Sequence, residues 1–171
     1  MTIAPSPHTE RIFDALKAKF GEAIISVETH YDFPVYYVEP ASIAEIIAYL
    51  NKDESMGFGF LTTLCGLHYP DKPGQEIGVM YQLHNMPENI RIRIKAFMPV
   101  EKPQLPTISH IFKAANWQER ETYDFFGVEF IGHPDLRRIL NMDEMNYFPL
   151  RKEYPLEDIR KDDKKDSMFG R

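Results

Sequence analysis

The sequence is poor in the residues that most site chemistry is built from. One cysteine, Cys65, in 171 residues excludes an internal disulfide and any zinc or iron–sulfur site ligated by the cysteines of this chain alone. Its neighbours Leu64, Gly66 and Leu67 point to a small buried residue rather than a reactive thiol. No apolar run approaches the roughly 18 residues needed to span a bilayer. There is no G-x-G-x-x-G, no P-loop and no serine in a nucleophile elbow, which removes the common cofactor-binding and acyl-transfer patterns. His30, His68, His84 and His110 lie far apart in the sequence, so no metal site is expected. Positive charge is also short. Lys and Arg number 20 against 26 Asp and Glu, a net charge of −6, and nucleic acid is a poor partner for such a surface. The opening Met1–Pro7 has neither a signal-type apolar region nor an arginine-rich presequence. A cytoplasmic chain that meets a membrane only through partners is therefore expected.

What is abundant is aromatic: twelve Phe, nine Tyr and one Trp, 13% of the chain. Such a surplus fills cores or anchors interfaces. Periodicity predicts a helix from a Thr9 cap through Phe20, ended by Gly21, with Ile12, Phe13, Leu16 and Phe20 on one stripe. Ala23–Glu28 and Val35–Val38 read as short strands around a polar turn with Asp32 and Pro34. Pro40 opens a second helix whose Ile43, Ile46, Ile47 and Leu50 share one face. Strands follow at Phe58–Leu67, Glu76–Leu83 and Asn89–Phe97. In the last, Ile90, Ile92, Ile94 and Ala96 alternate with Arg91, Arg93 and Lys95, as in a sheet with one face packed and the other either solvated or a basic docking face.

Prolines mark Met98–Pro106 as an extended link. Thr107–Ala114 reads as a short helix, and Asn116 with Glu119 as a capping box starting another that Gly127 ends. Beyond Gly127 short apolar pieces are broken by glycine and proline. The expected architecture is α+β: a mostly antiparallel sheet with helices on one face, residues 1–127, followed by an extended arm, 128–171. Asp158–Arg171 alternates Lys and Asp and is expected to stay mobile unless a partner orders it.

The chemistry concentrates between Asn116 and Pro155. Trp117, Glu121 and Asp124 fall at i, i+4 and i+7. Paired carboxylates beside an aromatic wall can form an acid–base site. The competing reading is structural. Asp124 near a helix C-terminus, with Glu121 three residues away, is relieved by a cation, and Arg137 or Arg138 can return to supply one, with Arg120 nearer but facing elsewhere. His133, in a Gly-His-Pro turn, reads as a hydrogen-bonded loop anchor.

In order, Trp117, Glu119-Arg120-Glu121, Asp124-Phe125-Phe126-Gly127, Gly132-His133-Pro134, Leu136-Arg137-Arg138-Ile139-Leu140 and Pro149-Leu150-Arg151-Lys152 resemble the 30 kDa-type C subunit of the proton-pumping NADH:quinone oxidoreductase, respiratory complex I. Phe60–Leu64, Tyr69-Pro70 and Tyr81-Gln82-Leu83 resemble the family's sheet signals, with His68 where an Asp is common. Glu144–Phe148 departs from the family's usual Asp-Trp-x-Gly-His, which puts the local geometry of the arm in question. The resemblance implies a scaffold subunit of a hetero-oligomer, peripheral on the cytoplasmic side of the inner membrane. It would bind no cofactor and pack against the quinone-site and iron–sulfur subunits of a complex that holds flavin (FMN, if NADH-linked), iron–sulfur clusters and quinone. Trp117, Glu119, Arg120, Glu121, Asp124, His133, Arg137, Arg138, Arg151 and Lys152 are its interface or structural candidates. The equivalent subunit of a related membrane-bound hydrogenase, or of a dehydrogenase fed by ferredoxin or another donor, is a second reading. A free-standing acid–base enzyme using Glu121 and Asp124 is a third.

Overall fold

The chain enters through helix α1 (Pro7–Phe20) in a computed structural model that describes residues 7–30 and 33–154. Thr9 lies inside this helix and is not its cap; the hydroxyl of Tyr36 donates to the Thr9 carbonyl at 3.2 Å. A 3-10 turn, Gly21–Ala23, leads to β1 (Ile24–His30) and β2 (Phe33–Val38). These pair antiparallel, with Pro34 inside β2 opposite Thr29; Asp32, expected in the turn, lies outside the described residues. Pro40–Ser42 winds one 3-10 turn into α2 (Ile43–Lys52), and Ile43, Ile46, Ile47 and Leu50 are all fully buried. Their i, i+3, i+4, i+7 spacing makes one stripe, and the sheet receives it.

That sheet is completed by β3 (Phe60–His68), β4 (Ile77–Asn85) and β5 (Ile90–Met98). Its order is β1-β2-β5-β4-β3, antiparallel except for β2 beside β5. The β2–β5 pair is parallel because the chain crosses through α2 and two further strands before β5 returns to the sheet's centre. Ile92, Ile94 and Ala96 of β5 and Val79, Tyr81 and Leu83 of β4 are fully buried against the helices. The α+β architecture with a mostly antiparallel sheet is thus the observed one. Cys65 is paired with Met80, on the face away from this core, and is only half-buried, not enclosed as its neighbours suggested.

Three expectations fail in the stretch that follows. Residues 98–106 are not only a link: Gln104–Pro106 forms β6 and pairs in parallel with β7 (Glu129–Ile131). Thr107–Ala114 is a set of turns, not a helix, although Ile108 and Phe112 do point inward. Helix α3 (Ala115–Phe126) begins from Ala114 without a side-chain cap, so the Asn116–Glu119 capping box does not form. The reason is Glu119, which is committed elsewhere. The end of α3 is as expected: Gly127 takes a left-handed conformation, φ 74°, which a Cβ would strain. Val128 and Phe130 then return to the core. The Asp158–Arg171 segment lies outside the described residues.

Helix α3 reaches β3 through Gly66. A Cβ there would stand 2.3 Å from the Phe126 ring, whereas at Gly59 it would meet nothing within 4 Å. Gly66→Ala is expected to lose about 1–3 kcal/mol through overpacking and Gly59→Ala much less, read as the difference in urea unfolding midpoints.

Candidate functional site: a buried carboxylate that fastens the arm

Asp124 is fully buried on α3, near the end where the helix dipole opposes an anion. Five donors compensate. Oδ1 accepts from Arg138 Nη1 at 2.7 Å and Asn141 Nδ2 at 3.0 Å. Oδ2 accepts from the backbone N–H groups of Ile139, Leu140 and Asn141 at 3.1, 2.8 and 2.9 Å. Burial pulls this carboxyl upward, yet the N–H groups of Asn141 and Leu140 and the Arg138 guanidinium outweigh it and hold it well below the usual carboxylate range. The aspartate is ionised and saturated. A general acid or base needs a free oxygen, and Asp124 has none.

Arg138 has only 8% of its side chain exposed and is itself satisfied. Nη1 also donates to the Asp124 carbonyl at 3.0 Å, and Nη2 to the carbonyls of Met145 and Tyr147 at 2.7 and 3.0 Å. Arg138 and Arg151 both lie over the Phe148 ring, at 5.2 and 4.7 Å. That ring covers Gly127 so closely that a Cβ there would sit 2.4 Å from it. Arg151 Nε donates to the Phe126 carbonyl at 2.7 Å and Leu150 N–H to the Phe125 carbonyl at 3.2 Å, so the arm caps the end of α3. The Lys152 N–H then donates to His68 Nδ1 at 2.9 Å. Within Glu144–Phe148, where the sequence departs from the family pattern, Arg138 binds the backbone carbonyls of Met145 and Tyr147 and the Phe148 ring packs over Gly127.

The other candidates divide. Arg120 is buried, and its Nε and Nη2 donate to the carbonyls of Arg137 and Arg138, both at 3.2 Å, while its guanidinium lies 5.2 Å from the Trp117 ring centre. Trp117 itself is 60% exposed. Arg137 turns outward to Asp135 at 2.9 Å; of the two adjacent arginines only Arg138 reaches Asp124. Glu121 is exposed, and its charge is felt at Cys65, whose thiol is raised first by burial and then by Glu121. Glu121 and Asp124 are therefore not a paired-carboxylate site.

Glu119 is the second buried carboxyl. It is fully enclosed; Oε1 accepts from the Ile108 N–H at 2.7 Å, and Oε2 lies 2.5 Å from Thr107 Oγ1. His133 Nε2 stands 3.9 Å from Oε2. The Asp135 N–H donates to His133 Nδ1 at 3.0 Å, which leaves the proton on Nε2 to donate to the Asn116 carbonyl at 3.1 Å. A neutral imidazole offers Glu119 no cation, so burial dominates and pushes its pKa up to about 7, against the opposing pull of Thr107 and Ile108. The Tyr81 hydroxyl, buried without a partner among the described residues, is raised by burial and by Glu119. Sequence reasoning did not place Asn141, Phe148 or Thr107 at the site, and it named Tyr81 and His68 only among the sheet signals. Among the described residues no group of three or more His, Cys, Asp or Glu gathers as a metal site would require, and no helix is long and apolar enough to cross a membrane.

Three outcomes follow. Asp124→Asn removes the charge that Arg138 needs and is expected to cost about 3–5 kcal/mol, with proteolysis appearing between residues 139 and 150. Glu121→Gln stays within about 0.5 kcal/mol. For Glu119, a folded pKa near 7, above the ordinary 4.5, means the stabilisation is complete below pH 4.5 and is lost as pH rises through 7. Relative to Glu119→Gln, the wild-type chain is expected to lose roughly 3 kcal/mol across that window, measured by denaturant titration at stepped pH. A difference that does not change with pH would show that Glu119 is already ionised.

Known proteins carry the same arrangement of sequence. A family model described as the respiratory-chain NADH dehydrogenase 30 Kd subunit matches residues 36–160. The C 2 subunit of NADH-quinone oxidoreductase from Rhizobium etli is 36% identical over 157 residues, covering 91% of this chain and 80% of that protein. The corresponding C subunit from Mycolicibacterium paratuberculosis is 36% identical over 138 residues, and here the chain, at 81% of its own length, spans 59% of the relative. Among solved structures, the trypsin-resistant fragment (1–134) of Nqo5 superimposes with a TM-score of 0.63 at 32% identity, over 74% of this chain and 98% of the fragment. The matched span runs from β2 through Asp124, Arg138 and Lys152, the residues that fasten the arm, and with it the chain belongs to the family of the respiratory-chain NADH dehydrogenase 30 Kd subunit.

Proposed function

We propose that the chain is a non-catalytic peripheral-arm subunit of a proton-translocating NADH (or ferredoxin):quinone oxidoreductase. It would sit on the cytoplasmic side of the inner membrane and hold the quinone-site subunit and the iron–sulfur subunits together. The observation that carries this reading is the fastened arm. The carboxylate of Asp124 organises residues 138–141 from within, while Trp117, Leu140, Met142, Tyr147, Leu150 and Tyr154 remain exposed on α3 and the arm. Large apolar side chains on a rigid, internally satisfied segment are what an interface uses as anchors. Flavin, iron–sulfur clusters and quinone belong to the other subunits in this reading; for the clusters the reason is that one half-buried cysteine cannot supply the thiolates a cluster needs.

A mild-detergent affinity purification of the tagged chain from its native membranes tests the proposal. A large assembly with iron–sulfur absorbance and NADH- or ferredoxin-linked quinone reduction is expected, and Leu140→Asp with Tyr147→Asp is expected to lower its yield while the isolated chain stays folded. Hydrogen-linked activity would assign the chain to a related hydrogenase. Recovery of the chain alone would remove the scaffold role.

A further inference from the structure

The face of the sheet turned away from the helices carries a second, separate surface. Arg91, Arg93 and Lys95 project from it at alternate positions of β5, roughly 7 Å apart. Val35 and Tyr37 of β2 lie beside Arg93 and Lys95 on one side, and Gln82 and Met80 of β4 on the other. Three rings form a shelf across it: Tyr37 and Phe97 are stacked with centres 6.1 Å apart, and Tyr69 lies 5.8 Å from Phe97. Lysines edge the shelf. Lys72 stands 5.0 Å from the Tyr69 ring centre, Lys95 5.7 Å from Tyr37, and Lys152, carried in by the arm, 5.8 Å from Tyr69. A cleft of about 440 Å³ opens between Tyr37, Lys95, Phe97 and Gly74.

In a chain with net charge −6 these cations would be expected to find carboxylates of their own. They do not. Among the described residues none of Arg91, Arg93, Lys95, Lys72 or Lys152 forms an ion pair, although six other pairs are present. Arg93 makes one hydrogen bond, from Nε to Gln82 Oε1 at 3.0 Å, and packs on Phe33. Lys95 is half-buried with no carboxylate against it. Its pKa is lowered by burial first and then by Arg93, with Glu28 opposing. The acids that border the face are engaged or peripheral, apart from Glu39, which is exposed and lines the cleft without an ion pair among the described residues. Glu28 accepts from Tyr37 and pairs with His30; Glu76 accepts from the Gly74 and Val100 N–H groups. Glu121 lies near Cys65. Arg93 and Lys95, partly desolvated and without an ion pair, carry a standing cost that a docked anion removes, while the exposed Arg91, Lys72 and Lys152 add charge at the edges.

We propose that this face, with Arg93, Lys95 and Lys72 around the rings of Tyr37, Tyr69 and Phe97, docks an acidic polypeptide segment of a partner protein. Its carboxylates meet the cations and its apolar side chains lie on the aromatic shelf. A polypeptide fits better than nucleic acid because the chain carries a net charge of −6 and Glu28, Glu76 and Glu121 border the basic face. Discrete carboxylates can be spaced between those acids, whereas a continuous phosphate backbone meets them. The inference rests on the scaffold reading for the presence of a partner, but uses a surface distinct from α3 and the exposed part of the arm.

The test is lysine labelling with an N-hydroxysuccinimide ester, on the affinity-purified assembly and on the free full-length chain. Lys19, on α1, serves as internal control. Lys95 and Lys72 are expected to label about tenfold more slowly in the assembly and Lys19 at an unchanged rate. Zero-length carbodiimide should join Lys95 or Lys72 to an Asp or Glu of another subunit. Lys95→Glu should lower the yield of assembly and Lys95→Arg restore it. An intact assembly in which Lys95 labels as in the free chain overturns this proposal alone. Cross-links only to a second copy of the chain, or protection lost on nuclease treatment, also overturn it. Absence of any assembly overturns the scaffold reading and this inference together.

Discussion

The end of the described chain, residues 128–154, depends on one buried carboxylate. Residues after Gly127 form almost no regular structure beyond β7, so the ladder hydrogen bonds that order a helix or a strand are missing. Asp124 replaces them by collecting three consecutive backbone N–H groups and two side-chain donors on its two oxygens. This is the logic of a helix cap transferred to a loop: an acceptor fixed on a rigid element organises donors that would otherwise face water. Arg138 closes the arrangement by neutralising the charge and fixing two carbonyls further along. A buried ion pair is weak evidence of net stabilisation, but here its geometric consequence is plain, because the path of the arm runs through it.

The two buried acids of α3 illustrate how environment divides identical chemistry. Asp124 has a guanidinium and backbone donors and stays ionised; Glu119 has two donors, a neutral imidazole and the body of the protein around it, and is shifted towards neutral pH. Burial acts upward on both. What differs is the number and charge of the donors that the surrounding elements supply. Glu119 connects the turn at Thr107–Ile108, helix α3 and the His133 turn, so these three pieces meet around a proton-sensitive group. Nothing about this requires a reaction. A structural protein can hold perturbed carboxyls for the same reasons an active site does.

The arm and the sheet are not independent surfaces. Lys152 reaches across to His68 with its backbone and to Tyr69 with its side chain, so the fastening of the arm at Asp124 also places a cation beside the aromatic shelf of the open sheet face. An assembly that grips α3 and the arm would thereby fix one edge of the second surface. The coupling is geometric, through a segment anchored at both ends.

Local period and local punctuation were legible in the sequence. The stripe of α2, the alternation of β5 and the glycine that ends α3 follow from side-chain spacing and backbone sterics within a few residues. The motifs from Trp117 to Lys152 carried the family resemblance on their own. The sequence could not show which acid on α3 would be buried, nor that Glu119 would leave its expected capping role to hold a turn at Thr107. It did not separate Arg138 from Arg137, or reveal that a strand runs from Gln104 to Pro106. Each of those outcomes is set by partners 11 to 17 residues away or more. Only the folded chain brings such partners into contact, and desolvation then decides which charges must be satisfied.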